Sequence, residues 1–375
     1  MLIRNATIYT AVQPQPLCGD ILIQNGKIAS IGPNLQAEGE EVFDATGLNV
    51  YPGFVEAHCH IGLDGYGIGY EGSDYNEYND PCTPQLRAID GIEPNDPTLL
   101  QAAQAGVTTV CTGPGSSNVL GGTFCVIKTV GDCVDDMLLS ESAAMKCAFG
   151  ENPKRCYREK GITTRMSTAA KLREMLMRAK DYKWRREDGK DPAFDIKLEA
   201  LQPVIDGDMP LKAHAHQLND LFTAIRIAKE FGVEMTLEHC TEGHRAPEKL
   251  AAAGFPMAVG PSLTHASKFE LRNKTFETPG ILARAGAHVS IITDSPVIPQ
   301  QYLPLCAGLA VKSGMDPYDA LRAITINPAE HIGVSDRVGS IEVGKDADLV
   351  LVRGDVMDIS GEVVLVLIDG QRVPA

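Results

Sequence analysis

Residues 51–60 read YPGFVEAHCH, and the rest of the chain is best interpreted from this stretch. A short apolar run ends in two histidines, His58 and His60, which are two residues apart. Because successive side chains of a β-strand point to opposite faces, both imidazoles would lie on one face and Cys59 on the other. Two imidazoles aimed at one point suit a divalent metal ion. A pair of hydrogen-bonded histidines at a strand end is the alternative that this motif alone leaves open.

The composition is that of a globular protein with a sizeable core. The 375 residues are 44% hydrophobic and 22% charged, with a formal net charge of −15. This length suits one large α/β domain and a smaller one. The negative charge argues against nucleic acid or an anionic membrane surface as a partner. The ten cysteines include no C-x-x-C pair, so we expect reduced thiols and a cytoplasmic location.

Neither a leader nor a membrane span is expected. The first residues lack a charged start followed by a long apolar stretch, which a signal peptide requires. Runs of about 18 apolar residues, the minimum for a membrane helix, are also missing.

Both ends of the chain read as short β-strands. Residues 20–32 contain two β-like runs around Asn25-Gly26, and Asp369-Gly370 follows another such run near the C-terminus. Both dipeptides are strong hairpin signals. Because chain termini often lie close together, we predict one small β domain built from both ends.

The middle of the chain alternates strand-like and helix-like segments, which favours a parallel α/β sheet or barrel. Residues 62–96 are predicted to form a long loop after the first barrel strand, and residues 181–192 a charged surface connection. Ser167 is the candidate N-cap of one helix. The predicted helices cover residues 97–106, 167–180, 218–231, 247–253 and 316–325.

Several later strands of this middle region also end in metal-ligand residue types. His214 and His216 follow one apolar run, His239 ends the next, and Asp294 follows a later one. Taken singly, each has a structural explanation, such as capping a backbone group. The active site of a parallel barrel lies at the carboxyl ends of its strands, so these side chains are expected to converge.

These motifs, together with residues 339–349 (GSIEVGKDADL), resemble the amidohydrolase superfamily. The runs at 113–116, 149–155 and 212–218 are most similar to its imidazolonepropionase-related members. The resemblance implies an α/β fold: a distorted TIM (β/α)8 barrel over residues 53–335, with a small β-sandwich domain formed by residues 1–52 and 336–375.

The resemblance also implies one or two divalent metals. His58, His60 and Asp294 would bind the first metal, with Asp294 doubling as the general base. His214 and His239 would bind the second. Zinc suits these donors, although manganese, iron or cobalt could occupy the same set.

A binuclear member needs an anionic bridge between its metals. Glu151 is favoured here because it lies just past a strand and is followed by a turn. A carboxylated Lys146, inside the preceding strand, is the alternative.

Three residues are candidate substrate contacts. His216 would point the same way as His214, and Lys268 or Arg272 could hold a substrate carboxylate. A hydrogen-bonding role for His216 and solvent-facing positions for the two cations are the alternatives.

The function predicted from these residues is metal-dependent hydrolysis of a C–N bond in a small amide, namely a cyclic amide, an N-acyl amino acid or a dipeptide. The alternative is a mononuclear aminohydrolase, either a deaminase or an imidazolonepropionase-type ring opener. A catalytically inactive homologue with an assembly role is disfavoured because all five candidate ligands are present. The expected partner is a small-molecule substrate, and the resemblance makes a homo-oligomer an expectation.

Overall fold

The computed structural model describes residues 1–36, 38–65, 69–190 and 192–374, and these form two separate eight-stranded sheets. One sheet combines strands from both ends of the chain, in the order β16-β15-β14-β5-β1-β2-β3, with β4 beside β1. Its strands are β1 (Leu2–Ile8), β2 (Leu17–Gln24), β3 (Lys27–Gly32), β4 (Val42–Asp44), β5 (Asn49–Pro52), β14 (Leu349–Arg353), β15 (Glu362–Ile368) and β16 (Gln371–Arg372).

Both predicted hairpins in this terminal sheet are present. Asn25-Gly26 joins β2 to β3, and Asp369-Gly370 joins β15 to β16. All four turn residues have positive φ, as a type I′ turn requires.

The second sheet holds the remaining strands in sequence order, and β13 lies against β6 so that the sheet nearly closes into a barrel. Its strands are β6 (Phe54–Cys59), β7 (Val107–Thr112), β8 (Leu120–Lys128), β9 (Leu138–Ala148), β10 (Leu211–Ala215), β11 (Met235–His239), β12 (Met257–Val259) and β13 (Val289–Ile291). Most neighbours are parallel, but β8 is antiparallel to both β7 and β9. The predicted fold class, a distorted (β/α)8 barrel with a sheet built from both termini, is confirmed.

Helices surround the barrel and bury their apolar faces against its strands. They are α1 (Pro97–Gln104), α2 (Val134–Met137), α3 (Glu151–Cys156), α4 (Arg165–Glu187), α5 (Ile196–Ala200), α6 (Gln202–Asp206), α7 (Leu218–Phe231), α8 (Pro247–Ala251), α9 (Thr278–Arg284), α10 (Leu303–Lys312), α11 (Pro317–Arg322) and α12 (Ile326–His331). Within the described ranges, none of them has the length and apolar character needed to cross a membrane.

Helix α4 differs from its prediction at both ends. Its N-cap is Thr164, and Ser167 is the third residue of a capping box with it. The helix also continues to Glu187, so the predicted connection over 181–192 is wrong for residues 181–187, which are helical, whereas the predicted exposure to solvent holds for most of the described residues of this segment. An ion pair between Arg185 and Asp181, 2.8 Å apart at i,i+4 spacing, supports the extra turns. Asp191, in the same predicted connection, lies outside the described residues.

A buried lysine links the barrel to the terminal sheet. Lys128, the last residue of β8, places Nζ 2.5 Å from Asp348, 3.1 Å from Asp346 and 3.3 Å from Asp369. Its side chain is 4% exposed. Because a buried charge needs compensating partners, this cluster depends on both parts of the chain being in place. The domain boundaries after residues 52 and 335 stay predictions.

Candidate metal centre

The first predicted group of ligands converges at one end of the barrel. His58 is in β6, His60 follows that strand, and Asp294 lies just past β13. One Asp294 oxygen is 3.6 Å from Nε2 of His58 and 3.3 Å from Nε2 of His60. One ligand atom from each residue lies within 4.8 Å of the others. This spacing suits a single ion between them.

The second group contains three histidines, one more than expected. His214 and His216 come from β10 and the residue after it, and His239 ends β11. Their ring centroids are 4.3–4.6 Å apart, and one ligand atom from each lies within 4.8 Å of the others. His216, predicted as a substrate contact, therefore lies among the candidate metal ligands.

The two groups form one continuous centre. The rings of His58 and His239 are 5.0 Å apart between centroids, and Nδ1 of His239 is 4.0 Å from Asp294. His239 and Asp294 both have positive φ, of 75° and 55°. Left-handed backbone is uncommon outside glycine, although Asp and His adopt it more often than most residues. Residues held in it cluster at functional sites.

Hydrogen bonds set which imidazole nitrogens are free. Nδ1 of His60 lies 2.7 Å from the Gly113 carbonyl, and Nδ1 of His239 lies 2.9 Å from the Gly260 carbonyl. Because a carbonyl only accepts, each Nδ1 carries the proton and each Nε2 keeps its lone pair.

Burial keeps most imidazoles of the centre in the form that metals require. It lowers the pKa of His58, His214 and His216 well below the ordinary value, and that of His239 to about 4. Nε2 of His214 and Nε2 of His239 are buried and have no hydrogen-bond partner among the described residues. Neutral imidazoles with unshared lone pairs in a buried cluster fit a divalent ion.

Asp294 stays ionised in the same surroundings. Burial raises the pKa of this carboxyl, but the imidazoles of His239, His60 and His58 outweigh burial and bring it well below the ordinary value. The centre therefore offers one carboxylate among neutral nitrogen donors.

Of the two candidate bridges, Lys146 is the one that lies at the histidines. Its Nζ is 3.1 Å from Nε2 of His58, and burial lowers its pKa to about 8. Glu151 begins α3 and turns its carboxylate to the backbone N–H of Glu270, at 3.2 Å. The structure does not bring Glu151 into either group.

The two predicted substrate cations have different surroundings. Lys268 lies near the second group, since its Nζ is 2.7 Å from Oε1 of Glu270, which is 3.6 Å from Nε2 of His214. Arg272 stacks on Phe269 at 3.9 Å and is 41% exposed. The structure does not place Arg272 at the histidines.

A large cavity borders the first group of ligands. It has a volume of about 1180 Å³, and its lining includes Tyr75, Pro114 and Gly121. The Tyr75 ring is 5.1 Å from that of His60, and a Cβ on Gly121 would lie 3.2 Å from the Lys146 side chain. The predicted loop over residues 62–96 provides much of this lining. Residues 66–68 of the loop lie outside the described residues.

Three buried glutamates near the centre were not predicted as site residues. Glu56 accepts hydrogen bonds from the backbone N–H groups of His58 and Thr293 at 3.0 and 2.9 Å. Glu238 places Oε2 3.1 Å from Nδ1 of His58. Glu56 and Glu238 could have been identified from the sequence, because each is an acidic residue inside an apolar strand. Glu270 lies in a charged loop, so the sequence gave no comparable signal for it.

Comparisons with known proteins identify the family to which the chain belongs. The model of the family described as "Amidohydrolase family" matches residues 194–373. A solved amidohydrolase from Thermotoga maritima is 41% identical, with a TM-score of 0.96 over 99% of both chains. The amidohydrolase tasK of Hapsidospora irregularis is 30% identical over 98% of this chain, which spans 42% of that relative's length. An imidazolonepropionase from a Geobacillus species is 28% identical over 89% of this chain and 83% of its own. The chain belongs to the amidohydrolase family.

Proposed function

We propose that this protein is a metal-dependent hydrolase of a C–N bond in a small amide: a cyclic amide, an N-acyl amino acid or a dipeptide. The observation that carries this proposal is the convergence of His58, His60 and Asp294 with a second group of histidines on one buried centre. Family membership and the adjoining cavity support the same conclusion. A cytoplasmic location and a homo-oligomer stay predictions.

The metal would be held by His58, His60 and Asp294, with a second ion at the other three histidines. When bound, a divalent ion lowers the pKa of a coordinated water to about 7 and polarises the substrate carbonyl. Zinc is the metal that best suits imidazole and carboxylate donors.

Asp294 is the proposed general base. Its ionised carboxylate lies between the two groups of histidines, and its side chain is 14% exposed on a site that borders the cavity. It would take the proton of the attacking water and later deliver it to the leaving nitrogen. Asp294 is the carboxylate that both groups share, since its two oxygens face His60 and His239.

Lys146 replaces Glu151 as the proposed bridge. Its amine lies at His58, and its lowered pKa makes the neutral, nucleophilic form accessible near neutral pH. The ammonium first loses one proton, and reaction of the neutral amine with carbon dioxide forms a carbamate and releases a second. The two steps together turn a buried cation into an anion, which two ions would need in order to share the centre.

The second candidate function is a mononuclear aminohydrolase, either a deaminase or an imidazolonepropionase-type ring opener. The similarity to imidazolonepropionase over most of the chain favours it. Metal content separates the two functions: about two ions per active chain supports the first, and one supports the second.

A hydrolysis screen with metal-loaded protein tests the proposal. The compounds are cyclic ureides, lactams, N-acyl amino acids and dipeptides, with aminopurines and an imidazolone as the competing class. We expect Asp294→Asn to abolish turnover without changing the circular dichroism spectrum. Asp336→Asn, the same substitution at an exposed site, is the matched control. Wild-type turnover by Asp294→Asn would remove Asp294 from its role, and turnover of only the competing class would favour the second function.

A further inference from the structure

We propose that Glu270 is the fourth protein ligand of the second metal site, completing a set with His214, His216 and His239. This inference rests on the proposed function only in taking the centre to bind metal. It assigns His216 to the metal instead of the substrate, and it makes the second site independent of the bridge at Lys146.

The spacing of the Glu270 carboxylate is that of a ligand. Its Oε1 lies 3.6 Å from Nε2 of His214 and 3.7 Å from Nε2 of His216. Donors around a tetrahedral zinc, with bonds of about 2.0–2.1 Å, are separated by roughly 3.4 Å. Both separations are slightly longer than that edge and exceed hydrogen-bond distance. Glu270 is outside the group of histidines whose ligand atoms lie within 4.8 Å of one another, so an ion would draw its carboxylate closer to them.

The other carboxylate oxygen is fixed by the backbone. The N–H of Glu151 donates to Oε2 of Glu270 at 3.0 Å. A Cβ on Gly150, where φ is +82°, would approach that same oxygen to 2.5 Å. A glycine and an N–H group therefore hold the carboxylate so that Oε1 faces the histidines.

Burial and charge point to a cation at this position. The Glu270 side chain is fully buried, with Lys268 as its ion-pair partner at 2.7 Å. A carboxylate buried against three neutral imidazoles needs positive charge nearby, and the ammonium of Lys268 that supplies part of it is itself partly exposed to solvent. A divalent ion among the four donors would supply it, and Lys268, whose side chain is 21% exposed, would stay as an outer partner.

This arrangement has a consequence for the order of metal loss. A site with two histidines depends on the bridge for its remaining protein ligand, whereas four donors from β10, β11 and the loop after β12 close a site by themselves. We therefore expect the second ion to survive removal of the Lys146 amine and to be lost with Glu270.

Cobalt binding tests the inference on the full-length protein. Apo-protein is titrated with Co²⁺, the ions per chain are counted after desalting, and the visible d–d bands report coordination number. Wild type should hold two ions. Glu270→Gln should hold one, with the second bound at least about tenfold more weakly, the smallest loss seen even for partners of ligands. Lys146→Met should keep the four-coordinate bands of the second ion.

Two variants separate ligation from ion pairing. Lys268→Met removes the partner of Glu270 and should keep both ions. Glu242→Gln, a nearby buried glutamate that binds Asn273 and the N–H of Leu218, should also keep both. Equal loss of the second ion in Lys268→Met and Glu270→Gln would overturn the inference, because Glu270 would then act only through Lys268.

Further outcomes also decide the question. Two tightly bound ions in Glu270→Gln would overturn the inference. A single bound ion in wild type would overturn it as well, but that result would still be compatible with the second candidate function, a mononuclear aminohydrolase. If Glu270→Gln does not fold, Glu270→Asp replaces it. Its carboxylate is retracted by one methylene, so the second ion should weaken while the circular dichroism spectrum stays native. A failed substrate screen leaves the cobalt result unchanged.

Discussion

Glu238→Gln is expected to release the first metal ion by changing the tautomer of His58. The Glu238 carboxylate is fully buried in β11. Its Oε1 accepts from Thr236 at 2.6 Å and lies 3.0 Å from Nε2 of His331. Its Oε2 faces Nδ1 of His58 at 3.1 Å and Nζ of Lys212 at 3.3 Å. Four polar groups thus face one carboxylate. Nδ1 of His58 and Oε2 lack the alignment of a hydrogen bond although they are 3.1 Å apart, so the contact is electrostatic. It favours the tautomer that carries the proton on Nδ1 and leaves Nε2 free for a metal.

A glutamine cannot satisfy the same four donors. Its amide group replaces one acceptor oxygen with an NH₂ group that only donates. Two of the four donors would then face another donor in place of an acceptor. With the N–H₂ toward His58, Nδ1 must accept and the proton moves to Nε2, which then cannot bind metal. Loss of such an outer partner weakens metal binding by about 10–100-fold, or about 1.4–2.7 kcal/mol.

The same substitution should also lower the stability of the apo-protein. Lys212, whose side chain is 1% exposed, loses its anionic partner, and breaking a buried pair in this way costs about 3–5 kcal/mol. The unfolding entropy of a 375-residue chain is about 0.8 kcal/mol per kelvin. The expected fall in Tm is therefore about 4–6 °C.

Two measurements separate these effects. Competition with a chromophoric chelator gives the affinity for the first ion, and calorimetry of the apo-protein gives Tm. Thr236→Val removes a donor on the far oxygen and should leave metal affinity within about twofold, below the range for a true metal partner. Wild-type affinity in Glu238→Gln would refute the tautomer argument, even if Tm falls as expected.

Two further predictions concern buried lysines. Lys128→Met leaves the carboxylates of Asp346 and Asp348 without their shared cation. This substitution should lower Tm by about 4–6 °C. The control is Lys27→Met, which removes a 47% exposed partner of Asp346 and should lower Tm by about 1 °C or less. Burial raises the pKa of Asp346, but Lys128, Lys27 and Arg337 together outweigh burial, with Lys128 the largest of the three, so the folded pKa is lowered. The stabilisation by the lowered pKa of Asp346 is complete above the unfolded aspartate pKa of about 3.9 and is lost as the pH falls below that value. The Tm values of Lys128→Met and wild type, measured by calorimetry, should therefore converge as the pH falls below about 3.9. Lys146→Met should lose most turnover, and wild-type protein in CO₂-free buffer should lose activity that bicarbonate restores; activity insensitive to bicarbonate would contradict a carboxylated lysine.

The sequence predicted the parts of the centre that depend on alternation along a strand. His58 and His60, like His214 and His216, are two residues apart at strand ends, and a period of two places each pair on one face. Helix α4 was predicted too short because charged residues at 181–187 read as a surface connection. Their charges instead pair along the helix, which a composition argument cannot distinguish from a solvated loop.

Other parts of the centre depend on contacts between distant segments. Glu151 follows a strand, as the sequence indicated, but α3 turns its carboxylate to the loop that carries Glu270. The run 267–272 has the charge pattern of a solvent-facing segment, yet its glutamate is fully buried. Lys and Glu are rarely buried, so a single sequence gives no reason to expect one inside a site.

The geometry of the first site is set by the acids beneath it as much as by its ligands. Glu56 and His58 share one face of β6 because they are two residues apart. The Glu56 carboxylate binds the backbone on both sides of the site, at His58 and at Thr293, and also accepts from Gln300 at 2.8 Å. Burial raises its pKa to about 7 despite these donors.

Asp294 has a strained positive φ and follows Thr293 directly. The hydrogen bond from Thr293 to Glu56 therefore holds the backbone immediately before Asp294 in place. Glu238 acts on the other side of His58, where its charge, 3.1 Å from Nδ1, favours a proton on that nitrogen. One glutamate therefore sets the distance between the two strands that carry the ligands, and the other sets which nitrogen faces the ion. Substitutions of Glu56 or Glu238 should change metal affinity more than substrate affinity, because neither carboxylate lines the cavity that borders the centre.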